Sequence, residues 1–130
     1  AWSASAQVQD PERRVIPGDR HSPLNKDFYY NYKAQAWWQL RLRFERTHRA
    51  VTEGVRYDPS ELISIPSDLP NRARLMKELS QATMSQSAGT LKLKIDKAPD
   101  GAKSPNAADA LVMSFWPVRA STYDLFALAS

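Results

Sequence analysis

Between Pro105 and Pro117 runs the stretch NAADALVMSFW, apolar from Ala107 onward except for Asp109 and Ser114. Ser104 can cap a helix there, and Pro105 suits its first turn, where no amide hydrogen is needed and a φ near −65° is wanted. Pro117 ends it. The spacing predicts a buried helix over 105–116, and its one charge constrains everything around it. At 3.6 residues per turn, Val112, Met113 and Trp116 project within roughly 60° of Asp109. No group on the helix can pair with this carboxylate. Burying it alone costs several kcal/mol, so another element must bring a cation, a metal ion or strong donors. The alternative is a helix-start aspartate favoured by the macrodipole and partly solvated. Ala108 and Ala110 leave room beside it for a ligand or a second backbone.

The chain before this helix supplies few candidates for the partner. Residues 1–21 are polar and broken by Pro11, Pro17 and Gly18, and read as an extended arm. Ser22-Pro23 repeats the cap-then-proline signal. A helix is expected from about Pro23 to His48, with Tyr29, Tyr32, Ala36, Trp37, Leu40 and Phe44 on one buried stripe. Its arginines, Arg41, Arg43 and Arg46, either complement the negative helix end or face a polyanion. Residues 50–59 read as an exposed turn and Glu61–Ile65 as a short strand closed by Pro66.

A second helix is expected from Ser67 or Asp68 to about Gln86. Leu69, Ala73, Met76, Leu79 and Thr83 would face inward, and Arg72, Arg74, Lys77 and Glu78 outward. Leu91, Leu93 and Ile95 then alternate with Thr90, Lys92, Lys94 and Asp96, the pattern of a strand over 90–96. Residues 98–103 are a turn leading to the Ser104 cap.

Composition excludes several chemistries. With no cysteine, there is no disulfide, thiol nucleophile or cysteine-zinc site, which suits a reducing cytoplasm. Four glycines, none in a phosphate-cradling motif, exclude an ATP site within this stretch. His21 and His48 stand in no metal-ligand spacing, and no Gly-x-Ser-x-Gly elbow occurs. No apolar run is long enough for a membrane span, and the first residues lack the pattern of an export signal. Eighteen basic against fourteen acidic residues give a formal charge of +4, compatible with a polyanionic partner.

LKLKIDK followed by SPNAADALVMSF resembles the end of the nuclease domain of phage large terminases, the motors that package and cut viral DNA. In that family a strand ending in lysine leads through a short loop to SP-x-x-ADAL, whose aspartate is a ligand of the catalytic metals; Asp109 matches it and Lys97 matches the lysine. NKDFYYNYKAQAWWQLRLRF is similar to the Asn-x-Lys-Ala-x-x-Trp-Trp helix of the same proteins, so the resemblance covers residues from about 20 to 117. It implies an α/β chain that is the C-terminal portion of an RNase H-like nuclease fold, helix-rich with few strands and lacking the central ones. Its parts would be the arm 1–21, the partial nuclease domain 22–117 and a tail 118–130.

The function that follows from the resemblance is a share in a two-metal endonuclease that cuts concatemeric DNA during packaging. Asp109 would be a catalytic residue and metal ligand. Two-metal hydrolysis needs several converging carboxylates holding Mg2+ or Mn2+. In the family the remaining ligands stand on strands upstream of the region matched here, and Asp10 and Asp19 lie in turns. The isolated chain is therefore expected to be inactive and to require no metal for itself.

Lys92, Lys94, Lys97 and Lys103 are candidate DNA contacts, with Lys97 equally suited to pairing with an acidic group. The implied partners are double-stranded DNA, a portal and a small terminase subunit, in the cytoplasm of a bacterial host. Apolar surface left uncovered by absent strands would favour self-association. The competing reading is a non-catalytic DNA-binding or docking module that uses exposed Trp37 and Trp38. As a metal ligand without its metal, Asp109 is expected to cost stability, so Asp109→Asn should be neutral or stabilising; the structural reading, in which Asp109 pairs with Lys97 or Lys103, gives the opposite sign.

Overall fold

The computed structural model describes residues 6–98 and 105–115. Its elements are α1 (Asn25–Phe28), α2 (Tyr32–Glu53), a 3-10 turn (Pro59–Glu61), α3 (Arg72–Gln81), β1 (Thr83–Gln86), β2 (Leu93–Asp96) and α4 (Asn106–Phe115). This is a helix-rich α/β arrangement with a two-stranded antiparallel sheet. α4 packs on α3 and α2, and β2 packs on α2.

The helix expected over 23–48 is two helices separated by three residues. Tyr29 is extended and bridges Leu93 in the parallel sense, and the Tyr30 amide donates to the Leu93 carbonyl at 2.9 Å. The Tyr29 ring is buried, with its hydroxyl accepting from Gln39 Nε2 at 3.0 Å. Burial pushes the phenol pKa upward. The real start of α2 is Asn31, whose side chain accepts from the Ala34 amide. Ser22 instead takes the Ile16 amide and caps nothing. α2 also outruns its expected end by five residues' worth of turn, reaching Glu53, where Gly54 in the left-handed region (φ 70°) terminates it. The stripe itself holds: Tyr29, Tyr32, Ala36, Trp37 and Leu40 are buried and Phe44 is partly so.

Residues 6–21 lie against this body. The Tyr32 amide donates to the Ala6 carbonyl, Gln9 and Gln35 exchange two hydrogen bonds through the backbone of Gln9, and Val15 is buried.

The strand expected over 61–65 is absent. Glu61 closes the 3-10 turn, whose capping box is Asp58 with Glu61. Ile63 is buried without a strand neighbour because Thr47 stands in for one. Its Oγ1 accepts from the Ile63 amide at 2.9 Å and donates to the Ile63 carbonyl at 3.2 Å. Arg43 adds bonds to the carbonyls of Ser60 and Leu62.

The helix expected from 67 or 68 to 86 is shorter at both ends. Pro70 disfavours helical backbone at Leu69, and α3 begins after Asn71, which is itself left-handed (φ 62°). It stops at Gln81, and Thr83–Gln86 form β1, paired with β2 in the register Thr83↔Asp96, Met84↔Ile95, Ser85↔Lys94 and Gln86↔Leu93. Pairing with a neighbouring strand overrides local helix propensity there. The inward residues of α3 are Leu75 and Glu78, so Glu78 was assigned to the wrong face by the sequence pattern.

β2 begins at Leu93, later than expected. Leu91, with φ 58° and 66% exposure, belongs to the hairpin loop and not to the core. That loop is closed by Ser87, buried and hydrogen-bonded with Thr90 and the Lys92 backbone.

α4 agrees with expectation in place, and Pro105 is buried at its head. It is not buried all round. Ala108 and Val112 are inaccessible to solvent, whereas Ala110, Met113 and Ser114 are exposed. Ser104, Trp116 and Pro117 lie outside the described residues.

Candidate functional site

Asp109 stands at the end of the first turn of α4, and its backbone is placed before its side chain is. Its amide donates to the Pro105 carbonyl at 2.8 Å, the first bond of the helix, which leaves the amides just ahead of it to be satisfied from outside. Glu78 does this from α3. Its Oε1 accepts from the amides of Ala107 at 2.8 Å and Ala108 at 3.3 Å, and its Oε2 accepts from Arg74 Nε at 2.8 Å. Burial alone would push the Glu78 carboxyl up. The Ala108 amide, the Arg74 guanidinium and the Ala107 amide outweigh it, so the pKa lies below the ordinary glutamate value.

The cation that the lone carboxylate requires comes from the end of β2. Lys97 Nζ lies 2.6 Å from Asp109 Oδ2, with the two side chains 24% and 19% exposed. Lys97 thus pairs with an acidic group, one of the two roles open to it. The Lys97 backbone is held in turn by α3, where Gln81 Nε2 donates to the Lys97 carbonyl at 2.9 Å.

The other oxygen of Asp109 is different. Oδ1 is buried and accepts no hydrogen bond among the described residues. A carboxylate oxygen in that condition is chemically suited to a hard divalent cation. Asp109 can supply one such ligand and no more. Among the described residues no group of three His, Asp or Glu side chains converges as a metal site.

Lys94 is exposed, with Nζ 4.8 Å above the Tyr30 ring, and Lys92 is partly buried. Lys103 lies outside the described residues. His21 and His48 are exposed, as expected of surface histidines.

Of the two tryptophans that the aromatic-platform reading of α2 takes as exposed, Trp37 is buried and Trp38 is partly buried. Trp37 is 6% exposed, and Trp38 packs on Phe28 with its ring under the Arg41 guanidinium. Arg43 is structural, bound to two carbonyls and stacked at 4.8 Å on Phe115 of α4. No described helix is long and apolar enough to cross a membrane.

Sequence reasoning missed Glu78 and Gln81. The signal for Glu78 was available in the spacing of Leu75, Glu78 and Leu79, which lie on one face when the stripe is started at Leu75.

No model of a protein family matches this chain, and no curated protein does. Solved structures do. A lysine-to-alanine mutant of gp2c of the large terminase subunit from bacteriophage Sf6, with calcium, superposes with a TM-score of 0.70 at 28% identity, over 85% of this chain and 49% of that one. The nuclease domain of the large terminase subunit gp2 of bacterial virus Sf6 gives 0.69 at 25% identity, over 86% and 50%. The same values hold for its lysine-to-alanine mutant with manganese and β-thujaplicinol. The chain thus spans about half the length of the structures it matches, and its helix-rich architecture is a portion of their RNase H-like nuclease fold. The motifs and the coordinates point to one family: the chain is similar, over most of its length, to part of the nuclease domain of a phage terminase large subunit.

Proposed function

We propose that this chain is part of a DNA-packaging terminase large subunit and that Asp109 is one metal-ligand carboxylate of its endonuclease. The carrying observation is the asymmetry of Asp109: Oδ2 held by Lys97, Oδ1 buried with no donor among the described residues. A helix-borne carboxylate kept half unsatisfied is costly and serves no packing need, but it serves a cation. Two of the similar structures were solved with manganese or calcium.

When bound, Mg2+ or Mn2+ supplies the charge that stabilises phosphodiester hydrolysis. This chain's residues orient the ligand: Lys97 fixes one oxygen of Asp109 and the rotamer that directs the other. Lys92, Lys94 and Lys103 belong to the same proposal as backbone contacts to double-stranded DNA. The arm 1–21, the nuclease portion 22–117 and the tail 118–130 are its proposed parts. Portal and small subunit are the corresponding assembly partners, and the host cytoplasm the corresponding location.

Because a single ligand cannot organise two ions, the chain by itself should not cut DNA. In the full-length protein, Asp109→Asn should abolish Mn2+-dependent cleavage of double-stranded DNA while leaving ATP hydrolysis intact. Full cleavage by that variant, or robust metal-dependent cleavage by the 130-residue chain alone, would overturn the assignment.

A further inference from the structure

We propose that Glu78 and Gln81, one turn apart on α3, are positioning residues that together set the spacing between Lys97 and Asp109. This rests on the reading of Asp109 as a metal ligand. The two site residues come from different elements, the end of β2 and the first turn of α4. α3 grips the backbone of Lys97 and that of the two residues just before Asp109.

Glu78 binds the amides of Ala107 and Ala108, the second being the residue directly before Asp109. Gln81 binds the carbonyl of Lys97 itself. Residues i and i+3 lie on one helix face about 4.5 Å apart along the axis, so these side chains act as a rigid ruler between the two backbones. Glu78 is 7% exposed and has three donors on its two oxygens, which removes any freedom it would have to wander. Apart from the Arg74 bond to Glu78 Oε2, these bonds end on main chain within two residues of Asp109 or at Lys97 itself. The expected consequence is therefore control of where the Asp109 carboxylate points, beyond holding α4 onto the body.

A merely structural clasp and a positioning one differ in what their loss changes. In the full-length protein, Glu78→Ala should lower kcat for Mn2+-dependent cleavage by roughly 10- to 100-fold, as a misplacement of about 1 Å does. It should also raise the Mn2+ concentration for half-maximal rate and leave KM for DNA within about twofold, because substrate contacts lie elsewhere. Glu78→Gln keeps an oxygen that accepts both amides and should restore cleavage to within about threefold. Gln81→Glu, which cannot donate to the Lys97 carbonyl, should again raise the Mn2+ requirement.

Asp109→Asn is the reference. If it retains cleavage, the metal-ligand reading fails. The positioning claim is then judged on the 130-residue chain by amide exchange at Ala107 and Ala108 and the carboxylate 13C shift of Asp109. Glu78→Ala should change both and Glu78→Gln neither. If Asp109→Asn is inactive, the proposal is overturned by either of two results: a Glu78→Ala loss that matches the unfolded fraction at unchanged Mn2+ requirement, or a Glu78→Gln as damaging as Glu78→Ala.

Discussion

Removing either member of the Lys97–Asp109 pair should destabilise this chain, and the two losses should not add. The geometry bounds the size. Ion pairs in full contact with water couple by about 0.2–1 kcal/mol, whereas breaking a fully buried pair costs about 3–5 kcal/mol. With side chains 24% and 19% exposed and a separation of 2.6 Å, Lys97 and Asp109 fall between, at a coupling of about 2 kcal/mol. Lys97→Met is the harsher change. It leaves Asp109 with neither oxygen paired among the described residues, since Oδ1 already has no donor there, and should cost about 2–3 kcal/mol. Asp109→Asn retains an oxygen that Lys97 can reach and should cost about 1–2 kcal/mol. The double variant should lose less than the sum by the coupling energy.

Urea denaturation of the four proteins, followed by far-ultraviolet circular dichroism at neutral pH, closes the cycle. Additivity to within about 0.5 kcal/mol would refute the pairing. A neutral or stabilising Asp109→Asn, the sign expected of a carboxylate with no partner in the chain, would refute it as well.

Two further perturbations test the surroundings. Thr47→Val should cost about 2–3 kcal/mol, because it strips the amide and carbonyl of buried Ile63 of the oxygen that satisfies both, while Thr47→Ser should restore most of the loss; thermal denaturation reads this out, and a valine variant as stable as wild type would show that Ile63 finds other partners. Glu78 has a folded pKa below its ordinary value of 4.5, so the stability it contributes is present above that pH and is lost as pH falls through the lower folded value. The acid limb of the stability curve should therefore be shallower in Glu78→Gln than in wild type, and identical limbs would contradict the assignment.

What could be read from the sequence divides along a physical line. The helix around Asp109 was legible because proline, apolar periodicity and a single charge act locally, and so was the need for a cation from another element. Lys97 answers that need from a strand end. The α2 stripe was legible for the same reason, since burial follows the 3.6-residue period whatever happens at the ends. The errors lie where a distant partner competes with local preference. Tyr29 leaves the helix to bridge Leu93, and Thr83–Gln86 leave it to pair with Leu93–Asp96. Ile63 is satisfied by a threonine hydroxyl from α2 and needs no strand. In each case a backbone found its hydrogen bonds across the fold, which no periodicity encodes.

Glu78 shows most clearly why the site was only half legible. A glutamate beside Arg74 and Lys77 reads as one more member of a solvated face, and its i,i+4 bond to Arg74 is consistent with that. What makes it buried is the arrival of α4 with unsatisfied amides, a demand created by a helix beginning some thirty residues later in the chain. The demand itself was hidden in the sequence, where Ser104 reads as the cap of this helix. The carboxylate answering it had to be near in space, acidic and on an inward face, and α3 carries one such residue within its ten, Glu78. The same helix places Gln81 against the Lys97 carbonyl, so the elements that build this half of the site follow one another directly along the chain, from α3 through the hairpin to α4. Contacts of that kind close short loops at small entropic cost, which is the physical reason a chain spanning about half of a nuclease domain can hold its lysine and aspartate in register.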